Sequence, residues 1–337
     1  AYTTIDNPEL YFQTVLYTGT GSTRTVTLSA DTDMQPDVVW IKKRASAYNH
    51  NLFDSVRGVN KGMYVNNDAA EHDSNADGYL SAFSSDGFEV RAGSSTSDYV
   101  NVSSETYVAW CWKESATAGF DMVSYTGNET NRTISHSLSA VPHFMTIRNR
   151  TATNDWLTYH HKNTSAPETD YLYLNLTNAT ADQAIHWNDT APTSSVFSVG
   201  TGGYTNGDTD AHIAYLWTAK QGFSKFGSYS GSGSSDGPFI YTGFRPAWIM
   251  CKCNSAGSSE WRIWNNKMDT FNPADNVLDA SDNGAEDTSA EDCDFLANGF
   301  KWRAGGLKNN DAGETYIYMA FAEAPFVNSN GVPCNAR

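Results

Sequence analysis

Three ordered blocks recur along this chain, and no other feature constrains its folding as tightly. The opening block reads Leu16-Tyr17-Thr18-Gly19, returns as Ser124-Tyr125-Thr126-Gly127 and again as Ser228-Tyr229-Ser230-Gly231. The second is a proline followed by an apolar run: Pro36-Asp37-Val38-Val39-Trp40-Ile41-Lys42, Pro142-His143-Phe144-Met145-Thr146-Ile147-Arg148 and Pro246-Ala247-Trp248-Ile249-Met250-Cys251-Lys252. The third closes each copy: Thr106-Tyr107-Val108-Ala109-Trp110-Cys111-Trp112, Ala211-His212-Ile213-Ala214-Tyr215-Leu216-Trp217 and Thr315-Tyr316-Ile317-Tyr318-Met319-Ala320-Phe321. A period of about 105 residues is longer than a solenoid repeat and near the size of a whole β-sandwich.

Within a copy, short runs of β-branched and aromatic residues alternate with Gly, Asn, Asp and Ser, the pattern of strands joined by turns. Repeat one predicts strands over Thr14–Tyr17, Thr25–Ser29, Val38–Lys42, Asn51–Asp54, Met63–Asn66, Leu80–Phe83, Phe88–Arg91 and Tyr107–Trp112. Ala297-Asn298-Gly299 predicts a hairpin turn in repeat three. No window keeps a sustained 3.6-residue period, so helix should be nearly absent. The fold class expected is all-β: three tandem β-sandwich domains of about 105 residues, spanning 1–117, 118–221 and 222–337, each with its own aromatic interior. The segment Pro325 to Arg337 is too irregular to assign.

Composition fits this class. Aromatic residues make up 13% of the 337 and charged residues 18%. The formal charge of −16 opposes a nucleic-acid partner, which needs a basic surface to displace counterions. The one basic cluster, Lys42-Lys43-Arg44, reads as the solvated end of a strand. No apolar run reaches the roughly 18–20 residues of a membrane span. Neither a basic n-region nor an apolar h-region opens the sequence, so no signal peptide is expected. Asn-x-Ser/Thr sequons such as Asn128, Asn163 and Asn175 follow by chance from the Asn, Ser and Thr content. The cysteines, Cys111, Cys251, Cys253, Cys293 and Cys334, lack metal-site or redox spacing. The expectation is a reducing compartment, with Cys111 and Cys251 as core residues.

Candidate reactive groups are few. Asp279, Asp282, Glu286, Asp287, Glu291, Asp292 and Asp294 crowd one loop-like segment instead of flanking a cleft, as a glycosidase pair would. For Ca2+, a hard cation that takes six to eight oxygens, the candidate ligands are Asp31, Asp33 and the cluster Asp282, Asn283, Glu286 and Asp287. His160, His161 and His186 lack a third zinc ligand at fixed spacing. No phosphate-loop, dinucleotide or nucleophile-elbow motif occurs, so no catalytic residue is assigned. Tyr48, Trp156, Trp187, Tyr204 and Trp261 are candidates for a sugar-stacking surface, or equally for core.

The blocks resemble tandem-repeat virion proteins of tailed bacteriophages of marine bacteria. The resemblance is carried by Gln35-Pro36-Asp37-Val38-Val39-Trp40-Ile41-Lys42, Phe53-Asp54-Ser55-Val56-Arg57-Gly58 and Tyr107-Val108-Ala109-Trp110-Cys111-Trp112-Lys113. In repeat three it is carried by Gly222-Phe223-Ser224-Lys225-Phe226-Gly227, Tyr241-Thr242-Gly243-Phe244-Arg245-Pro246 and Tyr316-Ile317-Tyr318-Met319-Ala320-Phe321. Repeat two lacks the Phe-Asp-Ser-Val-Arg-Gly stretch. The resemblance implies jelly-roll, lectin-like or laminin-G-like sandwiches in a non-enzymatic virion surface protein, a tail-fibre or host-attachment component. Implied partners are further copies of the chain (a trimer, for a fibre), other virion proteins and a host surface glycan. A capsid decoration protein is the alternative, and a glycan-degrading tailspike the third reading.

Overall fold

The computed structural model describes residues 3–28, 30–73, 75–95, 99–289, 292–306 and 308–334. The strands of repeat one are β1 (Phe12–Thr18), β2 (Arg24–Val26), β3 (Val38–Lys43), β4 (Asn51–Asp54), β5 (Met63–Tyr64), β6 (Tyr79–Ser84), β7 (Gly87–Arg91) and β8 (Thr106–Trp112). They form a main sheet in the order β1-β8-β3-β4-β5 and a second sheet, β2-β7-β6. The strands expected from the sequence are therefore in place, although β2 stops at Val26 and β5 at Tyr64, and Ser29 lies outside the described residues.

Repeat two contributes β9 (Phe120–Thr126), β10 (Arg132–Ser135), β11 (Phe144–Asn149), β12 (Leu157–His160), β13 (Asp170–Tyr173), β14 (Ala181–Asp182), β15 (Val196–Val199) and β16 (Ala211–Trp217). Repeat three contributes β17 (Ser224–Ser230), β18 (Phe239–Tyr241), β19 (Phe244–Cys253), β20 (Arg262–Asn265), β21 (Leu278–Asp279), β22 (Cys293–Leu296), β23 (Gly299–Trp302) and β24 (Thr315–Pro325). Their main sheets run β9-β16-β11-β12-β13-β14 and β17-β24-β19-β20-β21, repeating the order of the first. The second sheets are β10-β15 and β18-β23-β22. The expected hairpin closes β22 onto β23, with Leu296 opposite Gly299. In repeat two, the four-residue helices α1 (Ala184–Trp187) and α2 (Gly203–Asn206) flank β15. No helix among the described residues is long and apolar enough to cross a membrane.

The opening block has the same physical basis in every copy. Tyr17, Tyr125 and Tyr229 donate their hydroxyls to the carbonyls of Val100, Thr205 and Asn309 at 2.7, 2.6 and 2.6 Å. A side chain on Gly19, Gly127 or Gly231 would collide with the carbonyl oxygen of Val102, Gly207 or Asp311, so only glycine permits the approach. A fully buried asparagine completes each corner: Asn101, Asn206 and Asn310 accept from the amides of Thr20, Asn128 and Ser232 at 2.9, 3.1 and 2.8 Å.

One expectation is corrected. The repeats are not three self-contained interiors. All six residues of β3 and of β11 are buried, and their sides alternate. Val39 and Ile41 enter a cluster private to repeat one, whereas Val38 and Trp40 join a larger cluster drawn from all three repeats. In β8, Val108, Trp110 and Trp112 face this shared hub while Tyr107, Ala109 and Cys111 face inward; in β16, Ile213, Tyr215 and Trp217 face the hub. The hub is aromatic: Trp112 lies 5.7 Å from Trp248 and 6.2 Å from Trp217, and Phe12 stacks on Phe321 at 5.0 Å. Each main sheet is therefore covered twice, by its own second sheet and by the other repeats. Antiparallel sheets commonly leave one face to water, so this double cover explains the unbroken apolar runs.

Candidate functional site

The charged residues with the strongest claim to chemistry lie in the three seams between repeats. The last position of the proline block is basic in every copy, and Lys42, Arg148 and Lys252 are all fully buried. Lys42 Nζ donates to the carbonyls of Lys43 (2.7 Å), Ser46 (3.3 Å) and, across the seam, Asn283 of repeat three (3.2 Å). Arg148 donates to Asn154 O and to Ala69 O of repeat one. Lys252 donates to Ser259 O and to Thr177 O of repeat two at 3.0 Å. The direction is the same each time: one to three, two to one, three to two. That closes the repeats into a ring with pseudo-threefold order.

Two residues further on, the pattern repeats. The amides of Glu286, Glu71 and Thr180 donate to the carbonyls of Arg44, Arg150 and Asn254 at 2.8, 3.0 and 3.0 Å. Arg44 adds a two-pronged ion pair with Glu286, and Arg150 adds one with Glu71 (2.8 and 3.0 Å). At the third seam Asn254, Asn163 and Thr180 make neutral hydrogen bonds instead. Next, the indoles of Trp156 and Trp261 donate to the carbonyls of Tyr64 and Tyr173 of the preceding repeat, both at 2.8 Å. Asp54 accepts from the Tyr215 hydroxyl of repeat two at 2.5 Å and pairs with Arg57; both sides of that ion pair are fully buried.

These placements settle the sequence candidates. Lys42 and Lys43 are buried rather than solvated. The proposed Ca2+ ligands do not converge. Glu286 holds Arg44, Asn283 offers its backbone to Lys42, Asp282 accepts from the amide of Asn283, and Asp287 accepts from Ser289. Asp31 and Asp33 are exposed. Among the described residues no group of three or more His, Cys, Asp or Glu side chains is arranged for a metal ion. Asp279 pairs with Arg262 and Asp294 with Arg303, while Glu291 lies outside the described residues. His160 and His161 meet the backbone of Tyr318 and Phe226 in repeat three at 3.1 and 3.0 Å. His186 packs against Tyr171 and Tyr204. Trp156, Trp187 and Trp261 are core, and Tyr204 packs against the interior of repeat two. Cys111, Cys251, Cys253 and Cys293 are buried and carry thiols rather than disulfides. Asn163 and Asn175, in two of the sequons, are buried. Two carboxyl groups, Glu114 and Asp121, share a hydrogen bond at the link between repeats one and two. Burial, then the hydrogen bond with Asp121, pushes Glu114 up to about 7. Both are held by backbone amides, of Met122 and Ser137.

Burial sets the sign of a pH effect. It lowers Lys42 to about 7 and Lys252 to about 8. An unfolded lysine keeps its proton to about pH 10.4. Above neutrality these two lysines therefore hold more protons in the unfolded chain than in the native one, opposed near pH 7 by the raised Glu114 and unopposed by it at higher pH. Stability must then rise with pH through that window. The denaturation midpoint is expected to be higher at about pH 8.5 than at about pH 7, with a shallower slope in Lys252→Met. An equal slope in that variant would refute the assignment.

Over residues 7–325 the chain matches a family described as a domain of unknown function, DUF7483, and it belongs to that family. The match runs through all three repeats, so the family is defined on the ring rather than on one copy. No curated protein matches the chain.

Proposed function

We propose that this chain is a non-enzymatic surface component of a bacteriophage particle that serves host attachment as a rigid tail or fibre element. The observation that carries the reading is the use made of its buried charges. Lys42, Arg148, Lys252, Arg57 and Asp54 bind neighbouring repeats or hold the residues that do. Ring rigidity of this kind suits a displayed scaffold. One chain already carries three-fold order, so a fibre trimer is not required to create it. The same order favours a second reading, a decoration protein seated on a three-fold position of the shell.

Purified particles should contain the chain, and the labelled protein should adsorb to susceptible cells without releasing reducing sugar from their polysaccharide. A copy number near that of the shell protein would move the assignment to decoration. Sugar release would replace both readings with a tailspike.

A further inference from the structure

Repeat three departs from its siblings at one exposed edge. Strand β18 pairs only with β23, and Ile240 points inward opposite Phe300, as Val26 and Ile134 do opposite Phe88 and Phe197. The outward positions are Thr25 and Thr27 in repeat one, and Thr133 and Ser135 in repeat two. In repeat three they are Phe239 and Tyr241, 45% and 53% exposed. A Cβ on Gly299 would stand 3.0 Å from the Phe239 ring, and Gly243, at φ +87°, has the Tyr241 hydroxyl 3.5 Å from its Cβ position.

Beside Tyr241 runs a groove of about 380 Å3 bounded by Gln221, Lys225, Thr242 and Phe326. Its volume lies within the range of small-ligand sites, roughly 300–1,000 Å3. Lys225 Nζ donates to Tyr241 O at 2.6 Å and stands 5.2 Å from the centre of the Tyr241 ring. Burial disfavours its charge. A cation held by a carbonyl beside exposed rings stands out on a chain of net charge −16.

We propose that this groove binds an anionic saccharide, with a sugar face stacked on Tyr241 and a uronate-type carboxylate on Lys225. The proposal rests on the host-attachment reading and names the site that would serve it. Charge complementarity selects this occupant over a second copy of the chain. Two half-exposed rings offer on the order of 200 Å2, well short of the roughly 800 Å2 per partner that a stable protein interface buries.

The test is calorimetric titration of the full chain with a short oligogalacturonate and with a neutral galacto-oligosaccharide, beside Tyr241→Ala and Lys225→Met. Binding of the oligogalacturonate should weaken about tenfold or more in Tyr241→Ala. Lys225→Met should abolish the preference for the anionic sugar, and added salt should mimic it. Tyr241 is exposed and Lys225 half-buried, and unchanged thermal midpoints will show that the variants fold. Equal affinity in wild type and variants, or binding of neither sugar, overturns the proposal, as does a dimer by sedimentation that Tyr241→Ala dissociates. If cell adsorption persists without sugar binding, attachment stands and its site lies elsewhere. If neither occurs, the attachment reading fails with it.

Discussion

Expressed alone, the segment 118–221 is expected to give no cooperative unfolding transition, to bind a hydrophobic dye and to aggregate, whereas the full chain melts in a single transition. Removing the other repeats would expose Phe120, Phe144, Trp156, Tyr215 and Trp217, all part of the shared hub. Each such side chain is worth roughly 1.5–3 kcal/mol when buried. Five of them approach the whole stability of an ordinary domain, about 5–15 kcal/mol. The segment's private cluster around Met145, Ile147, Leu157, Phe197 and Leu216 has to offset both that loss and its own chain entropy. Circular dichroism on heating and size-exclusion chromatography decide the matter. A monodisperse segment with a sharp melt would show that the repeats are self-sufficient.

Replacing Asp54 with alanine should cost about 3–5 kcal/mol, the range for removing one partner of a buried ion pair. The Arg57 side chain is fully buried beside it, and the Tyr215 hydroxyl loses its acceptor. Tyr215→Phe removes only the hydroxyl and should cost about 1–2 kcal/mol. The double variant should be less destabilised than the sum, because both groups act on one carboxylate. Urea titration of the four proteins measures this, and strict additivity would mean that the contact across the seam is energetically silent.

The strand sequence and its three-fold repetition were legible because turn residues and the proline block recur in register. The hub was not. A run such as Val38-Val39-Trp40-Ile41 is apolar on both sides, and a sequence cannot tell a strand covered twice from one buried in an ordinary sandwich. The seam cations were misread for a related reason. Lys42-Lys43-Arg44 looks like a solvated strand end by itself, yet a base closes the block in every copy, at Lys42, Arg148 and Lys252. That recurrence was the available signal. Likewise Asn101, Asn206 and Asn310 each precede the aromatic of the closing block, Tyr107, His212 or Tyr316, by the same interval. Polar residues repeated at core-adjacent positions mark hydrogen-bonded corners. In the acidic segment, Glu286 pairs with Arg44 and the Asn283 carbonyl accepts from Lys42, partners that lie in another repeat and that the local sequence does not show.

The three seams differ in what salt can do to them. Repeat one is gripped on both sides by ion pairs, Arg44 with Glu286 and Arg150 with Glu71, whereas at the equivalent position repeats two and three meet through the uncharged Asn254, Asn163 and Thr180, beside Lys252 on the Thr177 carbonyl. Dissolved ions screen largely buried ion pairs such as these only weakly, and the neutral contact less still. Concentrated brine should therefore weaken the two seams around repeat one slightly more than the third, while the shared hub keeps all three joined.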